Sequence, residues 1–282
     1  MGNMEANMGK TMKFKPILLI VPFLCALCVL FLVDQLYLTP LEQAAAAQRA
    51  QSGQSATEGT GTTGTADRAP LVLSLAIGRT GSLQEGGGEP IYKTTNAKTK
   101  PVAVLQYNCA VLAKEDATTP EWVCVDLPGD EYNGVGYVKA SAVERKQLTV
   151  GSTDPTRDEI VKNAVGYIGL RFVRFGDSLK TGLDCSNFIR RIYALSGISI
   201  PDTPNAQRDA GLLVQEAEAQ PGDLIHYPVN EGYGHVAMYL GDGMMINCSG
   251  AAGKHYPQGG VRICRLQYKG RESYEMYDLL SS

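Results

Sequence analysis

The sequence predicts an α+β protein, in which an N-terminal apolar segment and a small all-β module precede a mixed domain. Three observations support this prediction: one uncharged apolar run near the N-terminus, many short apolar stretches between turn residues, and helical periodicity followed by closely spaced strands. With 44% hydrophobic and 20% charged residues, the 282-residue chain has the composition of a globular protein. The net charge of −3 argues against a nucleic-acid partner, which would require a basic face.

The apolar run lies in residues 16–38, after a short basic tail at residues 1–15. No charged side chain occurs between Pro16 and Val33, a length at the lower limit for a helix that spans a bilayer. Because lysines precede this run and do not follow it, the tail is expected in the cytoplasm and the remainder outside. We therefore expect a single-pass cell-membrane protein with an extracytoplasmic main domain. The alternative is a signal peptide cleaved near Ala44, which would make the remainder a secreted protein.

A linker and a strand-rich segment come next. Residues 39–69 are rich in Ala, Gln, Ser, Thr and Gly, which predicts a flexible linker. Residues 70–150 alternate apolar runs with turn residues, which predicts a small β-barrel. The predicted strands are 71–77, 89–94, 102–106, 110–114, 122–127 and 136–139. The segment resembles bacterial SH3-like cell-wall modules in the position of Trp122 and of the Gly-Tyr-Val run that begins at Gly136; the alternative is a β-barrel without a ligand.

Residues 154–282 have a different pattern. Asp154 is followed by proline and by acidic residues, which is typical of a helix start. Apolar residues from Ile160 to Ile168 then recur at helical spacing. A second helix is predicted at 186–195, and strands at 224–227, 235–240, 244–247, 261–266 and 274–279. Helices followed by antiparallel strands predict an α+β domain.

A cysteine, a histidine and an asparagine in this domain form a candidate catalytic group. Cys185 stands where a loop turns into the second helix, and a helix N-terminus favours the thiolate. His235 opens a strand that a hairpin connects to the strand carrying Asn247. If the hairpin loop has three residues, Asn247 lies diagonal to His235 and can orient its imidazole; a two-residue loop would turn it away. Taken singly, Cys185 could equally be a buried structural cysteine, and His235 an ordinary core residue.

Residues 157–280 resemble the NlpC/p60 cysteine peptidases. The matching pieces are Asp184-Cys185-Ser186, Ile200-Pro201 with Thr203 and Gln207, Gln220 to Leu224, His235 to Gly241, and Asn247. The resemblance implies a papain-like core in a cell-wall (peptidoglycan) hydrolase, a cysteine endopeptidase that cleaves stem peptides at the D-glutamyl–diamino acid bond. It implies that Cys185 is the nucleophile, His235 the base and Asn247 the third polar residue.

The resemblance also predicts three substrate-binding residues. Asp184 and Ser186 match positions that contact the free L-Ala amine, where a carboxylate would pair with an ammonium; the alternative for Asp184 is a helix cap. Phe172 stands where the family usually has a tyrosine, so it lacks a hydroxyl near the oxyanion. The expected partners are peptidoglycan stem peptides and the membrane, with no nucleic acid, and the chain is expected to act as a monomer. The alternative functions are an amidase or acyltransferase on the same fold, or a non-catalytic wall-binding protein.

Cysteine and histidine usage bears on metals and disulfides. The chain has three histidines and no Cys-x-x-Cys spacing outside the apolar run, so we expect no metal and no cofactor. If Cys185 remains free, the four other external cysteines can form two local pairs on neighbouring predicted strands. These pairs are Cys109 with Cys124, and Cys248 with Cys264. The alternative is that all four remain reduced.

Overall fold

The computed structural model describes residues 70–83, 85, 87–128, 134–228, 234–250, 254–268 and 271–281. The predicted tail, apolar segment and linker, residues 1–69, lie outside the described residues. No helix in the described ranges is long and apolar enough to cross a membrane. The described residues fall in one compact unit.

Seven strands form the segment predicted as a small barrel. They are β1 (Leu71–Gly78), β2 (Gly88–Ile91), β3 (Ala103–Gln106), β4 (Cys109–Leu112), β5 (Trp122–Leu127), β6 (Gly134–Lys139) and β7 (Val143–Val150). The sequence did not predict β7, because its central Glu-Arg-Lys-Gln run has the polarity of a loop. The strand forms because it pairs with β1 along its whole length.

Three helices and eight further strands follow in the described part of the chain. They are α1 (Pro155–Val165), β8 (Asp177–Ser178), β9 (Gly182–Leu183), α2 (Cys185–Leu195), α3 (Pro204–Asp209), β10 (Leu212–Val214), β11 (Leu224–Tyr227), β12 (His235–Gly241), β13 (Met244–Ser249), β14 (Gly260–Arg265) and β15 (Glu275–Asp278). The predicted start of α1 is confirmed, because the Asp154 carboxylate accepts the N–H groups of Thr156 and Arg157 at 2.8 and 3.0 Å. Helix α3 was not predicted, since its six residues are mostly polar and too few to show a period.

One nine-stranded sheet connects the two halves of the chain. Its order is β10-β15-β11-β12-β13-β14-β4-β1-β7. The connection is the antiparallel pairing of β14 with β4, in which Ile263 faces Ala110 and Cys264 faces Cys109. The remaining early strands pair as β2 with β3 and β5 with β6. Single bridges link β4 to β5 through Ala113 and β2 to β6 through Tyr92.

The largest apolar cluster lies between the helices and this sheet. Helix α2 buries Phe188, Ile189 and Ile192 completely, and α1 contributes Ile160. Leu148 of β7 belongs to the same cluster. Each fully buried aliphatic or aromatic side chain stabilises the fold by about 1.5–3 kcal/mol. This packing therefore fixes α2 against the sheet.

A disulfide joins Cys109 of β4 to Cys264 of β14. The predicted local pairs, Cys109 with Cys124 and Cys248 with Cys264, were therefore wrong. Cys124 and Cys248 are buried free thiols. The reason is the sheet order, which brings together two strands 155 residues apart in sequence and so places Cys264 opposite Cys109. A prediction that pairs cysteines close together in the sequence could not identify this disulfide.

Candidate active site

Cys185 is the first residue of helix α2. The Asp184 side chain caps this helix by accepting the N–H of Asn187 at 2.9 Å. The loop before the cap requires a glycine, because a Cβ at Gly182 would lie 2.5 Å from the Val173 side chain. Gly182 also has a φ of +124°, which side chains with a Cβ rarely adopt. The half-buried thiol of Cys185 is thus held at a helix N-terminus by a tightly packed turn.

His235 is the first residue of β12 and is buried. Its Nε2 lies 3.2 Å from the hydroxyl of Tyr268. If Nε2 carries the proton and donates to that hydroxyl, Nδ1 keeps a free lone pair and can act as a base. The ring of Tyr227 lies beside the imidazole, with centroids 5.8 Å apart. His235 is therefore enclosed by aromatic groups on the sheet side.

Asn247 lies on β13, fully buried. Strands β12 and β13 pair Met238 with Ile246, which brings Asn247 opposite Ala237. This is the register that the sequence predicted for a three-residue loop. The register arises differently from the prediction: Gly241 pairs with Met244 around a two-residue turn, and a bulge at Leu240 restores the alignment. Contact with the Asn247 amide raises the pKa of His235, although other effects on that pKa are larger. The Asn247 Oδ1 is buried and accepts no hydrogen bond from the described residues, whereas its Nδ2 donates to the Arg262 carbonyl at 3.4 Å.

Burial dominates the titration of both candidate catalytic groups. The pKa of His235 lies well below its usual range because the ring is desolvated and because Arg271 and Arg262 are near. Burial raises the pKa of the Cys185 thiol, while N–H groups of Val236 and Ser186 act in the opposite direction. Burial therefore favours the neutral form of each group, and a neutral histidine can accept a proton.

Cys185 and His235 line the same cleft, with a volume of about 410 Å³. The predicted substrate-binding residues Phe172, Asp184 and Ser186 also line it. The other residues that line it are Arg174, Phe175, Asn187, Asp202, Thr203, Pro204, Gly234, Ser249, Gly250 and Arg271. The structure thus brings five of the six predicted site residues to one cleft, with Asn247 behind His235.

Ser186 has a structural partner within this cleft. Its hydroxyl donates to the carbonyl of Asp202 at 2.7 Å, and its side chain is almost fully buried. Gln207 of α3 donates to the Ser186 carbonyl at 2.9 Å and to the Pro201 carbonyl at 2.8 Å. These bonds fix the first turn of α2 against α3. Asp184 caps α2, as one of the two interpretations of the sequence held, and it also lines the cleft. Its contact with a substrate ammonium stays a prediction.

Three residues of this region were not predicted from the sequence: Tyr268, Arg271 and Arg262. Arg262 is buried beside Asn247 and donates to Ser249 Oγ at 3.1 Å. Tyr268 and Arg271 lie in an irregular stretch after β14, where no periodicity marks them. Within the described ranges, no group of three or more His, Cys, Asp or Glu side chains is arranged to hold a metal ion. A thiol and an imidazole in one cleft can perform nucleophilic acyl transfer.

Comparison with known sequences gives one profile match. The profile described as NlpC/P60 family matches residues 170–262. The chain is 47% identical over 186 residues to the peptidoglycan endopeptidase RipB of Mycobacterium tuberculosis, with 58% of this chain and 75% of that protein covered.

Other relatives match over a shorter region. A probable endopeptidase p60 from Listeria seeligeri is 40% identical over 88 residues, which cover 31% of this chain and 17% of that protein. A γ-D-glutamyl-L-lysine dipeptidyl-peptidase from Bacillus cereus is 38% identical over 96 residues, 33% of this chain and 28% of that protein. The chain thus spans less than a third of either relative. A crystal structure of an NlpC/P60 family protein from Bacillus cereus aligns with a TM-score of 0.40 and 25% identity, covering 74% of this chain and 64% of that one.

Proposed function

We propose that this chain, which belongs to the NlpC/P60 family, is a cell-wall hydrolase that cleaves peptidoglycan stem peptides as a cysteine endopeptidase. The observation that carries the proposal is the cleft in which the thiol of Cys185 and the buried imidazole of His235 face the same space. The name and 75% coverage of the mycobacterial relative support a peptidoglycan substrate. The name of the Bacillus cereus relative supports the D-glutamyl–diamino acid bond as the one cleaved.

In this mechanism His235 takes the proton of the Cys185 thiol, and the sulfur attacks the carbonyl carbon of the scissile amide. The first N–H groups of α2 have no helical acceptor, so the N–H of Cys185 is available to the developing oxyanion. The protonated imidazole then gives its proton to the leaving amine as the C–N bond breaks. Water hydrolyses the resulting thioester with His235 again as base, which restores the thiol.

Two neighbours keep His235 in the orientation that this cycle needs. Tyr268 contacts Nε2 at 3.2 Å, and the Asn247 amide contacts the ring from β13. The Tyr268 hydroxyl can accept the Nε2 proton, and an acceptor at this position stabilises the imidazolium that forms in each half of the reaction. We assign Asn247 and Tyr268 this orienting role.

Asp184 supports recognition of the amino-terminal part of the stem peptide. Its carboxylate lines the cleft directly beside Cys185, and a free L-Ala ammonium would pair with it. Ser186 supports this site through the first turn of α2, because its hydroxyl is engaged by Asp202. Phe172 forms an apolar part of the cleft wall without a donor.

The finer arrangement of the whole chain belongs to the same proposal. We assign residues 16–38 to a membrane anchor, residues 39–69 to a linker and residues 70–150 to an SH3-like module, with the catalytic cleft outside the cell. The uncharged apolar run and the lysines before it support the anchor. Seven short strands with cross-bridges support the module. If the anchor exists, deletion of residues 16–33 releases the protein from carbonate-washed membranes; unchanged membrane retention contradicts it.

The enzymatic proposal is tested with purified full-length protein and a synthetic stem peptide, L-Ala-γ-D-Glu linked to a diamino acid and D-Ala. Mass spectrometry should show L-Ala-D-Glu as one product, and Cys185→Ala should reduce turnover by at least about a thousandfold. Cys124→Ala is the matched control, because Cys124 is a buried thiol outside the cleft. Cleavage at another bond would indicate an amidase, and binding without cleavage would indicate a wall-binding protein.

A further inference from the structure

A second cavity, the junction cavity, lies where the early strands meet the later part of the nine-stranded sheet. Its volume is about 660 Å³, within the size range of small-ligand sites. It shares no lining residue with the catalytic cleft. Residues that line it include Arg79, Tyr107 and Glu144 from the early part of the chain and Glu216, Arg265 and Tyr274 from the later part.

Strand β12 separates the junction cavity from the catalytic cleft. His235 begins this strand and lines the cleft, whereas Gly243 lies in the turn after its other end and lines the cavity. Because a strand rises by about 3.3 Å per residue, the two sites lie roughly 20 Å apart along β12. A ligand in the junction cavity therefore leaves the catalytic cleft open.

The wall of this cavity is held in place before any ligand binds. Asn108 donates its backbone N–H to the last carbonyl of β1 at 3.0 Å and accepts the N–H of Arg265 at 2.8 Å. Its Nδ2 donates to the Gln267 carbonyl at 2.8 Å. The cysteines next to Asn108 and Arg265, Cys109 and Cys264, form the disulfide. A wall fixed in this way lowers the entropic cost of binding.

The charges in the junction cavity balance one another. Two arginines and two glutamates line it, so their formal charges cancel. Arg265 pairs with Glu144 at 2.7 Å, and the Glu216 carboxylate accepts the hydroxyl of Tyr274 at 2.8 Å. A charged ligand would leave one of these groups or itself without a counter-charge, whereas a neutral ligand with many hydroxyl groups can both donate and accept here.

Two tyrosines add the flat surfaces that a sugar ring requires. Tyr107 and Tyr274 are both half-buried and line the cavity. The hydroxyl of Tyr107 has no hydrogen-bond partner among the described residues, so it is available to a ligand. A tyrosine offers an apolar ring face and a polar tip, which match the C–H face and the hydroxyl edge of a pyranose. The side-chain amides of Asn108 and Gln267 lie in the same lining.

We propose that the junction cavity binds an uncharged saccharide of the N-acetylhexosamine type, the sugar that forms the glycan strands of peptidoglycan. The choice of this sugar rests on the proposed function, because a cell-wall hydrolase meets that glycan at its place of action. The amide groups of Asn108 and Gln267 can donate to and accept from the acetamido group. Binding there retains the chain on a glycan strand while the cleft cleaves stem peptides.

The experiment measures by calorimetry the binding of an oligomer of β-1,4-linked N-acetylglucosamine to the purified full-length protein. Tyr107→Ala removes a ring face and a hydroxyl, so it should raise the Kd at least about tenfold. Arg79→Ala removes an exposed donor without disturbing the core and should raise the Kd about threefold. Tyr277→Ala is the matched control, because Tyr277 is half-buried but lines neither the cavity nor the cleft, and it should keep the wild-type Kd.

A competition experiment shows which of the two sites the saccharide occupies. The Cys185→Ala protein, saturated with the synthetic stem peptide, should bind the oligomer with the same Kd as it does without the peptide. Displacement of the oligomer by the stem peptide would place the saccharide in the catalytic cleft and would overturn the proposal. An unchanged Kd in Tyr107→Ala would also overturn it. If Tyr107→Ala does not fold, as judged by the fluorescence of the buried Trp122, an unchanged Kd in Arg79→Ala decides instead.

The outcomes also separate this proposal from the proposed function. A wild-type protein that cleaves the stem peptide but does not bind the oligomer would overturn the saccharide site alone. A wild-type protein that binds the oligomer with the expected effects of the variants, but does not cleave the stem peptide, would contradict the peptidase and support the saccharide site. Tyr107→Ala should cleave the free stem peptide with the wild-type kcat/KM, because that peptide carries no sugar.

Discussion

The disulfide between Cys109 and Cys264 should provide a large part of the stability of the folded chain. It closes a loop of 155 residues and joins the early strands to the strand next to that of Asn247. In the chain-entropy model, a cross-link over a loop of this length lowers the entropy of the unfolded chain by about 17 cal/mol/K, which corresponds to about 5 kcal/mol at 25 °C. This value is comparable to the whole stability of many domains.

The measurement is urea unfolding of the wild-type protein with and without a reductant. Trp122 is buried and is the single tryptophan of the chain, so its fluorescence reports the transition. Reduction should lower the free energy of unfolding by about 3–5 kcal/mol. A variant with both Cys109→Ala and Cys264→Ala is the control, because a reductant cannot change its covalent structure.

Two results would refute this reasoning. Non-reducing peptide mapping of the purified protein that finds free thiols at Cys109 and Cys264 would show that the cross-link does not exist. If the disulfide is confirmed but its reduction leaves the urea midpoint unchanged, the pairing of β14 with β4 does not depend on the covalent cross-link. The assignment is supported if reduction lowers the stability of the wild-type protein to that of the double variant.

Three further predictions concern buried polar groups. Arg157 pairs with Asp223 at 2.5 Å in the interior, so Arg157→Ala should lower the free energy of unfolding by about 3–5 kcal/mol. Arg208 is partly exposed and pairs with the exposed Asp209, so Arg208→Ala should change that free energy by less than about 0.5 kcal/mol. Burial lowers the pKa of His235 in the folded chain, so below about pH 6.5 the unfolded chain binds one more proton at this histidine than the folded chain does. The free energy of unfolding should therefore fall by up to about 1.4 kcal/mol for each pH unit below that value. In urea titrations at several pH values, His235→Gln should reduce the slope of the unfolding free energy against pH. An unchanged slope would mean that another group causes it. Tyr268→Phe keeps the ring but removes the hydroxyl contact to Nε2 of His235, so kcat should fall by about tenfold with KM unchanged. An unchanged kcat and an unchanged pH–rate profile would exclude an orienting role for Tyr268.

Features that depend on a few consecutive residues could be predicted from the sequence. The position of Cys185 at the start of α2 follows from Asp184, a capping residue followed by an apolar period. Strands β5 and β11 have the bounds that their apolar runs predicted. The register of β12 against β13 was predicted only for a three-residue loop. The loop has two residues, and the bulge that restores the register was not predicted.

Features that depend on distant segments could not be predicted in this way. Tyr268 reaches His235 across 33 residues, from a stretch without periodicity, and only the packing of β11 to β14 brings the two side chains together. The same holds for the Cys109–Cys264 disulfide, since a strand pattern indicates where a strand is but not which strand it pairs with.

By itself the sequence determined the chemistry that this protein carries: a cysteine at a helix N-terminus, a histidine on a strand and an order of motifs resembling one peptidase family. The tertiary structure decided the surroundings of that chemistry. It placed Arg271 in the cleft and Tyr268 against the imidazole, and it joined the early strands to the same sheet as His235. The physical reason is that capping and side-chain periodicity act over a few residues, whereas burial and strand partnership arise only when segments far apart in the chain pack together.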